Sequence, residues 1–372
     1  MVALAPPQVI VPSRLRTPTV RGFGPNWYAP VMGTSIVANA AAALPGCPGW
    51  LRNAGTGVWA LAAAMLVAVL VTRAAHWTRH RDQARRDLLD PAVAPFYGCP
   101  PMALLSVGAG ASALGRPLLG DHAAVVVDAV LWTAGTASAL LVAAAVPYLM
   151  VARHRIGSGD ASPVWLLPVV APMVAAALGP GLIPHLPPGA HQAREAMLLG
   201  CYAMFGLSLL ATLTILPLVW GRLVRGTLPL ALTPTLFLVL GPLGQSTTAV
   251  GNLADAAPSA MPGAYVPALR GFAVLYGVPV TGFALLWLAI AAALVVRAAR
   301  EGLRFSMTWW AFTFPVGTCV TGAASLSRHT GLHALTWLAV GLYVMLAAAW
   351  LTAGTGTVRG LLSGRLLAAP AR

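Results

Sequence analysis

The sequence predicts an all-α integral membrane protein of ten transmembrane helices, arranged as five hairpins. Three observations predict it. First, 58% of the 372 residues are hydrophobic and only 9% are charged, with a mean hydropathy of +0.78. A soluble domain carries about a quarter charged residues. So little charge cannot cover a water-facing surface, and the apolar excess has to face lipid. Second, the apolar residues gather into ten runs, each close to the ~20 residues that cross a bilayer as a helix. Third, the arginines between those runs alternate in density.

The runs fall at 27–45, 56–76, 96–114, 123–149, 164–184, 195–220, 232–254, 272–297, 306–326 and 334–355. Open sheets are excluded because lipid cannot satisfy their edges, and the runs are too long and continuous for barrel strands. Residues 1–25 are rich in Pro and Arg, lack the apolar core of a signal peptide, and read as a cytoplasmic tail. Residues 26–356 then form one transport domain, and 357–372 a second cytoplasmic tail.

The net charge of +14 comes wholly from arginine. With the N-terminus inside, the inner segments hold Arg14, Arg16, Arg21; Arg73, Arg79, Arg81, Arg85, Arg86; Arg153, Arg155; Arg222, Arg225; Arg297, Arg300, Arg304; and Arg359, Arg365, Arg372, which is 18. The outer segments hold Arg52, Arg116, Arg194, Arg270 and Arg328, which is five. This bias fits an even number of spans with both termini cytoplasmic in the plasma membrane. The same placement argues against nucleic acid as the partner of the basic chain.

Proline sorts by parity. The odd spans carry Pro30; Pro100 and Pro101; Pro168 and Pro172; Pro242; and Pro315. The second and tenth carry none, Pro147 and Pro217 lie at the inner ends of the fourth and sixth, and Pro279 in the eighth is the exception. Proline bends a helix and frees backbone groups that need protein or water, not lipid. Bent helices therefore belong inside, around a path, with Pro30, Pro101, Pro172, Pro242 and Pro315 as the expected kinks. The straighter even helices belong outside, and the five hairpins share one orientation, unlike inverted repeats.

The odd spans have no charged side chain in their interiors, while Asp128 lies toward the external end of the fourth span. They carry small polar groups: Asn26, Thr34, Ser35, Asn39, Ser106, Ser112, Gln245, Ser246, Thr247, Thr248, Thr313, Thr318 and Thr321. Thr34, Ser35, Gln245 and Thr318 are the pore-lining candidates. Such groups stabilise a partly hydrated ion; they equally serve as hydrogen-bonding contacts between helices. No acidic ring invites cations, and no nucleophile, base and acid converge as in a membrane enzyme. His76 with His80 and His329 with His333 have the i, i+4 spacing of metal ligands, but they sit at membrane edges and are expected to be solvated. Cys47, Cys99, Cys201 and Cys319 form no C-x-x-C pair and read as small buried hydrophobes. No metal or cofactor is expected.

Two segments are more specific than composition. The first span reads Pro25-Asn26-Trp27-Tyr28-Ala29-Pro30-Val31-Met32-Gly33-Thr34-Ser35, and the ninth reads Trp309-Trp310-Ala311-Phe312-Thr313-Phe314-Pro315. Both, with Gly241-Pro242-Leu243-Gly244-Gln245, resemble the tellurite-resistance/dicarboxylate transporter family. That family lies in the voltage-dependent anion channel superfamily, with bacterial TehA and the plant slow anion channels. The resemblance implies a homotrimer of independent pores, each built from five hairpins and closed midway by an aromatic ring. Phe314, directly before Pro315, matches that gate; Phe312 is the neighbouring alternative. Ser35 stands where the family pattern has Gly, so no substrate is carried over. The expected function is passage of small anions (chloride, nitrate, sulfite or small carboxylates) through an uncharged pore. The alternative is proton-coupled transport of C4-dicarboxylate, sulfite or tellurite.

Overall fold

A computed structural model describes residues 22–364 and 366, apart from 158, 188 and 227. The expected N-terminal tail up to residue 21, with Arg14, Arg16 and Arg21, lies outside the described residues, as do Arg365 and Arg372. The described chain is helical and contains no strand. Its helices are α1 (Tyr28–Ala43), α2 (Gly49–Arg79), a short surface helix α3 (Arg81–Leu89), α4 (Cys99–Gly110), α5 (Asp121–Ala152), α6 (Leu166–Leu178), α7 (His191–Arg225), α8 (Leu240–Ala260), α9 (Val266–Arg300), α10 (Phe314–Thr330) and α11 (His333–Leu362). A single π-helical turn, Ala111–Gly115, and four further α-helical residues extend α4.

Local chemistry sets the boundaries. Leu44 precedes a proline and is extended, which stops α1. Gly331 takes φ +70 and caps α10 in the left-handed region, where a side chain would be strained. It also keeps His329 and His333 off a common helix. The closing helix runs on to Leu362, past the expected boundary at 356.

Among the described residues, seven stretches are long and apolar enough to cross a membrane: Gly49–Arg79, Ala94–Leu119, Asp121–Ala152, Pro163–His185, His191–Arg225, Gly263–Arg300 and His333–Leu362. The expectation of ten adds α1, α8 and α10. Of these, α1 and α10 have 16 and 17 residues, and α8 carries Gln245, Asn252 and Asp255.

Burial divides the helices into two classes. Within the apolar part of Pro163–His185, 89% of residues are buried; within those of α5, α9 and α11, 17% are. The buried class is α1, α4, α6, α8 and α10. Each packs on the next in chain order and α10 packs back on α1, which closes a cycle. The lipid-type helices α2, α5, α7, α9 and α11 each pack on the buried helix that precedes them. Their far sides carry exposed apolar residues such as Leu141, Leu275 and Val344.

A common motif opens all five buried helices. A 3-10 segment leads in (Pro25–Trp27, Ala94–Gly98, Pro163–Trp165, Leu230–Val239 and Met307–Phe312), and the α-helix begins with proline in its first turn. Those prolines are Pro30, Pro101, Pro168, Pro242 and Pro315. The expected kink positions Pro30, Pro101, Pro242 and Pro315 thus fall where the 3-10 lead-in passes into the α-helix. Because the 3-10 turn supplies carbonyls to the first α-helical N–H groups, such as those of Tyr28 and Leu240, a proline here removes a donor from a continuous helical run and marks the change from 3-10 to α geometry. Pro172 is interior to α6, and the repeat position belongs to Pro168 instead.

Indole N–H groups tie the two layers together. Trp59 on α2 donates to the Val107 carbonyl at 3.0 Å, Trp132 on α5 to Ala175 at 3.0 Å, Trp287 on α9 to Leu236 at 2.9 Å, and Trp350 on α11 to the Thr34 hydroxyl at 3.1 Å. A buried indole needs such a partner. Trp59 also fills the space beside Gly110 and Gly115. Trp59→Phe is expected to lose that bond and part of that volume, lowering stability by roughly 1–3 kcal/mol. Thermal unfolding in detergent measures it as a lower midpoint.

Candidate functional site

All five buried helices contribute to one cavity of about 220 Å³. Its wall takes Ile36 and Asn39 from α1, Ser106 and Ala109 from α4, Val174 and Leu178 from α6, Gln245, Thr248 and Asn252 from α8, and Phe314, Thr321 and Arg328 from α10. The three α10 residues recur every seven positions, so they share one face. At 1.5 Å rise per residue, about 21 Å of helix separates Phe314 from Arg328. Phe314 sits at the end nearer the arginine-rich face, and Arg328 at the opposite mouth. The Phe314 ring is 3% exposed.

The lining is mostly apolar, with polar groups from Asn39, Ser106, Gln245, Thr248, Asn252 and Thr321, and its one formal charge is Arg328. Asn39 donates Nδ2–H to the Ser106 carbonyl at 2.8 Å, and Asn252 donates to the Ala177 carbonyl at 2.8 Å. Thr248 and Thr321 share a hydroxyl bond of 2.7 Å across α8 and α10. The Gln245 Oε1 is buried without a hydrogen-bond partner among the described residues. With an arginine at its mouth and no carboxylate in its wall, the cavity favours negative charge electrostatically.

Gln245 and Phe314 are thus the two predicted site residues in this wall. The others lie elsewhere. Thr34 is buried and accepts the Trp350 indole bond, and the Ser35 hydroxyl is buried without a hydrogen-bond partner among the described residues. Thr318 is buried against α8; its hydroxyl donates to the Pro315 carbonyl of its own helix at 2.7 Å and lies 3.3 Å from the Gly241 carbonyl of α8. Phe312 packs edge-on against Phe237 and Trp309, with ring centroids 4.9 and 5.8 Å away. Asp128 is buried on α5 beside Gly108 and does not line the cavity.

Asn252 and Arg328 were not among the predicted site residues. Their signal was spacing: 245, 248, 252 and 314, 321, 328 each trace one helical face. Arg328 read as one of the few external arginines, yet it stands in the last turn of α10 facing the cavity.

Two histidines differ from expectation. His76 is not solvated; it is fully buried, with Nε2 3.8 Å from Asp87 of α3. His329, beyond the apolar part of α10, is 8% exposed and lies 3.2 Å from Asp255 through Nε2 and 2.9 Å from the Ser325 carbonyl through Nδ1. With acceptors facing both ring nitrogens, the imidazolium is favoured. The Asp255 hydrogen bond raises the His329 pKa above 6.5, against the opposing effect of burial. Burial pushes Asp255 up, but the His329 hydrogen bond and the charges of His329, Arg328 and Arg270 outweigh it and hold the carboxyl below its usual value.

The signs follow by linkage. The His329 contribution is complete below pH 6.5 and is lost as pH rises through its raised value. The Asp255 contribution is complete above pH 3.8 and is lost as pH falls through its lowered value. The difference in thermal midpoint between wild type and His329→Gln is therefore expected to be largest near about pH 5 and to shrink above neutrality. Thermal scans across pH measure it.

Sequence comparison places this architecture. The family model described as voltage-dependent anion channel matches residues 22–358, from the lead-in of α1 to the last turns of α11. The chain belongs to the voltage-dependent anion channel family. An uncharacterized transporter of Methanocaldococcus jannaschii is 26% identical over 333 residues, covering 89% of this chain and 91% of the relative. A sulfite efflux pump of Arthroderma otae is 27% identical over 341 residues, covering 89% and 88%. A sulfite efflux pump of Trichophyton rubrum is 27% identical over 320 residues, covering 83% of each. Membership in a family of anion channels and transporters agrees with the apolar helices and with a cavity that carries positive but no negative charge.

Proposed function

We propose that this voltage-dependent anion channel family member passes small anions along the axis of its five buried helices, with Phe314 as the gate. The observation that carries the reading is the cavity: every buried helix contributes to it, its one charge is Arg328, and the Phe314 ring stands in its wall. Ten helices cross the plasma membrane as five hairpins, both termini are cytoplasmic, and three copies assemble with one pore each. The anions are chloride, nitrate, sulfite or small carboxylates. Sulfite comes first for testing because two relatives named above are sulfite efflux pumps. A hydrophobic ring in a narrow bore blocks both sterically and by excluding water. No catalytic step is involved.

A second reading has one observation in its favour. Asp128 is a buried carboxylate on α5, and intramembrane acids commonly carry protons. It would make the chain a proton-coupled transporter of dicarboxylate, sulfite or tellurite. Flux into proteoliposomes separates the two. Uptake of sulfite, chloride, nitrate and malate under an imposed voltage, with potassium excluded, supports the pore. Uptake that follows an imposed pH gradient and ignores voltage supports coupling. Equal passage of potassium contradicts both.

A further inference from the structure

The arginine-rich face carries a second concavity, outside the five-helix core. It measures about 590 Å³ and lies between the 157–161 loop, Trp165 and the end of α7. Arg222 and Arg225 stand in its wall. Arg222 donates Nη1–H to the Ala161 carbonyl at 2.8 Å, which fixes its guanidinium in place. Arg225 folds back along α7, with Nη2 3.2 Å from where a Cβ on Gly221 would stand, one turn nearer the apolar band. Among the described residues, neither guanidinium has a carboxylate within ion-pair distance. The acid of the adjoining loop, Asp160, is turned onto the Gly157 N–H at 2.7 Å.

A groove of about 440 Å³ between α7 and α9 continues this concavity toward the middle of the helices. Pro217 lines both. The groove is walled by apolar and aromatic side chains, among them Leu213, Leu216, Trp220, Phe283, Trp287 and Ile290. Two guanidinium groups thus lead directly into an apolar trough. Trp165 and Trp220 stand near the junction, where amphipathic rings prefer the membrane–water boundary.

We propose that this composite surface binds one anionic phospholipid, with its phosphate between Arg222 and Arg225 and an acyl chain in the trough. Guanidinium forks match phosphate oxygens in a bidentate manner, and basic pockets between helices at the cytoplasmic side suit such headgroups. A free phosphate would use only the upper half. A second copy of this chain, with net charge +14, would bring further positive charge to a rim that already repels it.

The test uses the purified full chain and native mass spectrometry with added phosphatidylglycerol or phosphatidylcholine, and with glycerol 3-phosphate or inorganic phosphate as competitors. Wild type is expected to retain phosphatidylglycerol preferentially. Arg225→Gln should weaken that retention by roughly fivefold, and Arg225→Lys should keep most of it. Ile290→Trp fills the trough and should weaken retention with the charges intact. It also keeps the test decisive if Arg225→Gln misfolds. Equal retention of the two lipids by wild type would overturn the proposal, as would an unchanged preference in a folded Arg225→Gln chain. Competition by phosphate as strong as by whole lipid would overturn it in favour of a soluble-anion site. Loss of the oligomer in Ile290→Trp with lipid retention unchanged would overturn it in favour of a subunit contact.

Discussion

Replacing Phe314 by alanine is expected to raise anion flux by roughly tenfold or more, the effect of removing ~1.4 kcal/mol from a barrier. The ring is buried and stands in the wall of a cavity built by all five inner helices, at the proposed gate. It occupies the first position of α10, directly before Pro315, at the junction of 3-10 and α geometry. Truncation to alanine removes both the steric plug and the apolar surface that excludes water. The same truncation leaves a void, and aromatic-to-alanine changes in packed cores cost about 3–5 kcal/mol. The assay therefore needs folded protein, checked by its elution and thermal midpoint. Phe312→Ala is the control. Its ring packs on Phe237 and Trp309 outside the cavity wall, so it should lose stability without gaining flux. Time-resolved anion uptake in proteoliposomes measures both.

Gly244→Ala is expected to be among the most damaging single-methyl changes in the inner layer. A Cβ there would lie 2.5 Å from the Thr318 carbonyl carbon and 2.6 Å from its hydroxyl, and closer still to the Cys319 nitrogen. Two of these are backbone atoms, which cannot rotate away. The α8 and α10 helices would have to part, and the 2.7 Å Thr248–Thr321 bond between them would stretch. Overpacking of this kind costs about 1–3 kcal/mol, occasionally more. The adjacent test is Gly241→Ala on the same helix, where a Cβ would meet nothing within 4 Å. That change should be neutral or slightly stabilising, because alanine is the better helix former. Thermal unfolding in detergent compares the two. Flux should fall in Gly244→Ala as the cavity wall shifts.

Much of the architecture was legible because lipid imposes simple rules. Charge is excluded from spans and arginine is concentrated on one face, so composition announced a helical membrane protein. Proline parity pointed to the five helices that turned out buried, and Phe314 and Gln245 do line the cavity. The physical meaning of the prolines was less accessible. A proline in sequence does not say whether it follows a 3-10 segment or interrupts an α-helix. The 3-10 lead-ins before Pro30 and Pro242 are visible only in the structure. Thr34 and Thr318 resembled pore residues, but a hydroxyl in a buried helix serves a neighbouring indole or carbonyl as readily as an ion. Arg328 was hidden by its place beyond the apolar run, and His76 by the arginines around it. Both depend on contacts between segments distant in sequence.

The most direct test of the central account is covalent block of the path. Thr321→Cys in the Phe314→Ala background places a thiol on the cavity wall between Arg328 and the missing ring. Treatment with a bulky methanethiosulfonate reagent should abolish most anion flux, while the Phe314→Ala parent, treated identically, keeps it. Full labelling of the introduced cysteine with flux unchanged would mean that anions travel by another route.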